Sequence, residues 1–131
     1  MDERTIILNE LAQGLRPVPD GIAWFESLDD EEQINTLHVL GLFLLQAGAT
    51  NDDAAESIER AGLKPTHTPA VLIARDPLPL YLGKVIGLPK EERLKSFRLL
   101  VALFTVADER RRRTRCANDC NHAWHHLDSR P

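Results

Sequence analysis

The chain has 131 residues, 43% hydrophobic and 27% charged, with a formal net charge of −4. That length suits one domain burying roughly two-thirds of its unfolded surface and falls short of two. Seven aromatic residues and 8 prolines exclude collagen-like and low-complexity material, and the longest apolar stretch, Val39–Leu45, is far below the roughly 20 residues that span a bilayer.

Residues 4–13 read as a first helix, with Ile6, Ile7 and Leu11 at helical spacing and Gly14 as its C-terminal cap. Pro17 and Pro19 mark a hinge before a short helix, Gly21–Leu28, whose Trp24, Phe25 and Leu28 are expected to face inward. Asp29 opens a stronger helix. With Glu32 three residues on it fits a capping box, in which its carboxylate accepts an orphan backbone N–H. That helix runs through Ile34, Leu37, Leu40, Leu44 and Leu45 to about Ala47, with Gly48 ending it; its second half is apolar nearly all round, as expected of a central, buried helix.

Asn51 is the expected cap of the next helix, Asp52–Ala61, whose first turn carries Asp52 and Asp53 where the helix dipole favours them, and Gly62 stops it. Thr68–Pro69 pairs a cap residue with proline at the first helical position, and Val71–Arg75 continues that helix to the break at Asp76–Pro77. Leu78–Ile86 reads as a further short helix, although a stretch this short also fits a strand. Pro89 opens the last long helix, from Lys90 to about Arg115, with Leu94, Phe97, Val101 and Phe104 on an apolar face widened by Leu100 and Leu103. Its polar strip carries Lys90, Arg93, Lys95 and Arg98. The expectation is an all-α, compact single-domain bundle of about seven to eight helices with a Cys/His-rich C-terminal segment.

Charge divides that one domain. Residues 1–63 hold 3 basic and 13 acidic residues, a net of −10, whereas residues 64–131 hold 13 basic and 7 acidic, a net of +6. The expected tail, 116–131, follows a basic stretch, 64–115. Such asymmetry arises either from an anionic partner or from two halves that face and neutralise each other. The opening MDERTIILNE lacks the basic-then-apolar order of a signal peptide, and two cysteines make no disulfide framework, so a reducing, cytoplasmic setting is expected.

The segment Cys116–Ala–Asn–Asp–Cys120–Asn–His122–Ala–Trp124–His125–His126 gathers both cysteines and three of the five histidines. Thiolate and neutral imidazole suit zinc, and a structural site takes four such ligands in a tetrahedron. The expected ligands are Cys116, Cys120, His122 and His125, with His126 as a spare. The spacing is that of no standard finger or ribbon. In one unbroken helix the cysteines lie about 40° apart, while His122, His125 and His126 fall about 240°, 180° and 280° from Cys116. A four-ligand site therefore requires a break, and Asn118–Asp119 is the expected place. The competing readings are buried cysteines beside Trp124, an unfavourable i, i+4 disulfide, and an open His122/His126 site able to support hydrolysis. No Glu lies between those histidines, so the zinc-protease arrangement is absent.

The run Arg110–Arg111–Arg112–Arg113–Thr114–Arg115 wraps round its helix, with Asp108–Arg112 and Glu109–Arg113 as expected i, i+4 pairs. It reads either as a solvated, self-paired end or as a docking surface for an anionic partner, with protein favoured over nucleic acid because no aromatic stacking platform adjoins it. Residues Ala54–Ile73 test as a helix-turn-helix, but the connector Gly62–His67 is long and Arg75 is the sole base-reading type in the second helix. An ordinary helical hairpin is the expectation. His67 reads as a solvated loop histidine or a remote metal ligand, and His38 as a satisfied core histidine. The run Asp29–Asp30–Glu31–Glu32 belongs to a helix start, and no nucleophile elbow, phosphate loop or dinucleotide fingerprint is present.

The segments LNELAQGLRP at 8–17, WF at 24–25, ESIERAGLKPTHTPAVLIAR at 56–75, FRLLVALFTVADERRR at 97–112 and C-x3-C-x-H-x-W-H at 116–125 together resemble a small actinobacterial family of uncharacterised all-α proteins, a domain of unknown function. The resemblance implies no activity. It does suggest that the PTHTPA connector and the Cys/His tail belong to one design. The sequence thus leads to a non-enzymatic binding or regulatory protein with a structural zinc site. Partners would engage the Arg110–Arg115 end or the acidic N-terminal half, with no membrane involved. The alternatives are a small metal-dependent enzyme and, more weakly, a DNA-binding regulator.

Overall fold

The computed structural model describes the backbone of residues 3–128 and the side chains of residues 3–113. Among these residues lie seven α-helices and one 3-10 turn: α1 Glu3–Ala12, α2 Val18–Glu26, α3 Asp30–Gln46, the turn Asn51–Asp53, α4 Ala54–Arg60, α5 Thr68–Arg75, α6 Leu78–Val85 and α7 Lys90–Asp128. No strand occurs among the described residues, and no described helix is long and apolar enough to cross a membrane.

The three expected stop glycines end their helices by one mechanism. Gly14, Gly48 and Gly62 sit at φ +74°, +75° and +70°. In each case the following N–H reaches back to the carbonyl five residues earlier: Leu15 to Glu10, Ala49 to Leu44 and Leu63 to Ile58, the bond that closes a Schellman motif. Asp29 caps α3 as expected, accepting the Glu32 N–H at 2.8 Å. The reciprocal half of the capping box is replaced, since the Glu32 carboxylate pairs with Arg4 of α1 at 2.6 Å.

Several expectations are corrected. Pro17 and Pro19 do not hinge the chain: Pro17 is the N-cap of α2 and Pro19 lies in its first turn, where no intrahelical N–H is needed. The central helix is α7 rather than α3. On α7, Leu99, Leu100, Leu103 and Ala107 are wholly buried and Val101, Ala102, Phe104 and Val106 nearly so, which covers every side of the helix, and α1 to α5 all pack on it. On α3 the buried face is Leu37, Leu40, Gly41 and Leu44, while Ile34, Leu42 and Leu45 are exposed. His38 is exposed beside them rather than a core histidine.

Asn51 is not the helix cap that its position suggests. Thr50 fills that place, its N–H held by the Asp53 carboxylate at 3.0 Å. The Asn51 amide instead crosses to the α5–α6 junction, donating from Nδ2 to the carbonyls of Ile73 (3.1 Å) and Asp76 (2.9 Å) and accepting the Leu78 N–H at 3.0 Å. One side chain thus satisfies orphan groups at the end of one helix and the start of the next.

The core closes round an aromatic contact between α2 and α7. Phe25 and Phe97 stack at 4.3 Å with an 11° interplanar angle, and Trp24 tilts over Phe97 at 6.4 Å. Arg93, expected on the polar strip of α7, is buried. Its Nη1 donates to the carbonyl and carboxylate of Asp30 and to Gln33 Oε1, while Gln33 Nε2 donates to Phe25 O at 3.0 Å. The N-terminal turn of α3 and the end of α2 are so fastened to α7 through one guanidinium, whose burial those acceptors permit.

Candidate functional site: a cationic cleft between three helices

On α7, residues Arg98, Val101, Ala102 and Thr105 follow the i, i+3, i+4, i+7 spacing of one helical face. That face looks into a gap between α2 and the end of α4. Val18 and Ile22, one turn apart on α2, form the opposite wall, and Arg60 and Ala61 close one side. The cleft has a volume of about 360 Å³, within the size range of small-molecule sites.

The two guanidiniums of the cleft are in different states. Arg60 makes a two-pronged pair with Glu109, Nη1 to Oε1 at 3.1 Å and Nη2 to Oε2 at 2.9 Å, and Nη2 also reaches Glu56 at 2.9 Å. The hydrogen bond from Arg60 holds the Glu109 carboxyl below the usual carboxylate range, with the charges of Arg60, Arg113 and Arg112 adding to it and burial opposing it. Arg98 instead donates from Nη2 to the Ala61 carbonyl at 2.5 Å and enters no ion pair among the described residues. A cation at a helix C-terminus is favoured by the exposed carbonyls there. Gly62 makes room for it: a Cβ would lie 2.9 Å from Arg98 Nη2. The Thr105 hydroxyl donates to Val101 O at 2.9 Å, so the α7 wall of the cleft is otherwise apolar.

The arginine run divides along its length. Arg110 docks on the chain itself, donating to Gly48 O at 2.6 Å and pairing with the buried Asp53 at 3.2 Å. Arg111 and Arg112 pair with Asp108 at 2.9 and 2.8 Å, the second as expected. Glu109 pairs with Arg60 rather than with Arg113. His67 is engaged locally, its Nδ1 accepting the Lys64 N–H at 3.0 Å. The α4 and α5 helices pack on each other through the connector 61–67.

The side chains of Cys116, Cys120, His122 and His125, with His126, lie outside the described ones, but their backbone corrects two expectations: α7 continues to Asp128 instead of ending near Arg115, and it has no break at Asn118–Asp119. Among the described residues no group of three or more His, Cys, Asp or Glu side chains is placed to hold a metal. The cleft residues Val18, Ile22, Arg60 and Arg98 were not singled out as a site from sequence. The usable signal is the 98–101–102–105 spacing, in which a cation leads an apolar helical face.

A family model described as a family of unknown function, DUF5958, matches residues 3–127. The chain belongs to that family. No curated protein and no solved structure matches it. Within this DUF5958 chain, the cleft lies wholly inside the matched residues, on α2, α4 and α7.

Proposed function

We propose that this DUF5958 protein is a non-enzymatic binding or regulatory module whose ligand sits in the α2–α4–α7 cleft. One observation carries the reading: an apolar cleft of ligand size has a positioned guanidinium, Arg98, without a counter-ion among the described residues. Sites of this kind bind by covering apolar surface and orienting a few polar groups. The lining holds two guanidiniums and a hydroxyl already donated to Val101, a set suited to recognition rather than to nucleophile–base chemistry. Support for an anionic partner moves to this cleft from the Arg110–Arg112 surface, because those three side chains already have partners within the domain.

The test is a nitrogen-15 correlation spectrum of the full chain titrated with small apolar molecules that are anionic, neutral and cationic. Saturable shifts centred on Ile22, Val101 and Ala102 are expected from at least one class. Their absence with every class overturns the reading.

A zinc ion on Cys116, Cys120, His122 and His125 belongs to the same proposal, resting on four ligands of the right type gathered in one short stretch. Because α7 runs unbroken through Asn118–Asp119 to Asp128, where the cysteines and these two histidines fall on different faces, the site requires that helix to open at Asn118–Asp119 as metal binds. It would pin the end of the chain in a reducing, cytoplasmic setting. Elemental mass spectrometry on untagged protein purified without chelators should find about one zinc per chain, lost on Cys116→Ala or Cys120→Ala. Metal-free protein unaffected by chelator would remove it.

A further inference from the structure

The cleft's charges and size narrow the ligand to one class, an inference that rests on reading the cleft as a ligand site. Arg60 is saturated by Glu109 and Glu56. Arg98 offers one bond to Ala61 and keeps most of the five N–H donors of a guanidinium. Its planar fork matches a carboxylate by two parallel bonds. A singly charged anion balances Arg98. A dianion would leave one charge unbalanced, because Arg60 is already paired with Glu56 and Glu109 and no other uncommitted cation lines the cleft.

The rest of the lining sets the body of the ligand. Val18, Ile22, Ala61, Val101 and Ala102 present only hydrocarbon side chains, and the Thr105 hydroxyl is held by its own helix. The cavity of about 360 Å³ lies toward the lower end of the small-molecule range, which suits a ligand body of modest length. We propose that the cleft binds a monocarboxylate with an apolar body of medium length, its carboxylate on Arg98 and its hydrocarbon between α2 and α7.

The probe is decanoate, titrated into the full chain well below its micelle concentration and followed by calorimetry and by the shifts of Ile22, Val101 and Ala102. Decyl phosphate and decyltrimethylammonium serve as the dianionic and cationic counterparts. Decanoate should bind once per chain, and Arg98→Gln should weaken it about tenfold or more, the loss expected for a charge-assisted fork. Arg98 also fastens α4, so Val18→Glu is the second variant. It lies at a half-exposed position in the first turn of α2, where a carboxylate suits the helix, and it should abolish decanoate binding without lowering Tm.

Shifts from either counterpart as strong as those from decanoate would overturn the monocarboxylate while leaving the cleft a ligand site. Decanoate binding unchanged in both variants would place it elsewhere and overturn the proposal. Silence from all three probes at the cleft would overturn the proposal and remove the anionic and cationic classes from the wider reading, which then stands or falls on neutral ligands.

Discussion

Replacing Asn51 by alanine removes three hydrogen bonds that join the α4 start to the α5–α6 junction: those to Ile73 O, Asp76 O and Leu78 N. Each neutral bond contributes about 1 kcal/mol net, and because Asn51 is itself exposed its removal admits water to the buried groups left behind, so the loss should be about 2–3 kcal/mol. For a chain of this size that lowers Tm by roughly 6–12 °C. Thermal and urea unfolding followed by far-ultraviolet circular dichroism measure it. The choice of replacement separates two physical accounts. Were Asn51 only a helix cap, Asn51→Asp and Asn51→Ser would restore stability, because all three residues cap equally well. As a bridge, aspartate keeps the acceptor for Leu78 but loses both donors and turns a carboxylate toward two carbonyls, so Asn51→Asp should stay destabilised by about 1–2 kcal/mol. Parent-like stability in Asn51→Asp, or a loss under about 0.5 kcal/mol in Asn51→Ala, would refute the bridging account.

Tyr81 is wholly buried and its hydroxyl has no hydrogen-bond partner among the described residues; Tyr81→Phe should therefore leave stability unchanged or raise it by up to about 1 kcal/mol, and a loss of that size measured by urea unfolding would sink the argument. Arg110→Met uncovers Gly48 O and leaves the buried Asp53 without its cation, which should cost about 1–3 kcal/mol; a neutral result would mean that the contact is solvated. Asp76, held down by its hydrogen bond from Lys84, and Glu109, held down by Arg60, both have folded pKa values below their ordinary ones. Their contribution is present above the unfolded carboxylate range and is lost as pH falls through the lower folded values, so Tm should drop below about pH 4, with a shallower slope in Glu109→Gln. Gly62→Ala combines a φ of +70° with a Cβ 2.9 Å from Arg98 Nη2, and calorimetry should show a loss of about 1–2 kcal/mol; a stabilised variant would contradict the placement of Arg98.

The helices were legible where the signal is local. Gly14, Gly48 and Gly62 end helices because the left-handed conformation there favours a residue without Cβ, and Asp29 starts one because its carboxylate reaches an N–H three residues on. The long apolar faces of α3 and α7 were legible as faces, but not which helix the others surround. Both stretches are apolar on most sides, and only the docking of α1 to α5 on α7 distinguishes them. The cleft was illegible for a related reason. Helical spacing places Arg98 on a polar strip; that it has no counter-ion among the described residues depends on what α2 and α4 bring near it.

The amino-acid order by itself determined an all-helical chain, its stop and start signals, and the division of charge between its halves, because these follow from backbone sterics and spacing within a few residues. Tertiary structure alone decided which long-range partner each polar group takes. Asn51 reaches residues 22 to 27 positions away, Arg93 reaches Asp30 across 63, and Arg60 meets Glu109 across 49. A buried or half-buried polar group must find whatever donor or acceptor the packing delivers. No local rule names that partner, and Arg98, bonded to the Ala61 carbonyl but without a counter-ion among the described residues, shows how packing can also leave a charge unbalanced.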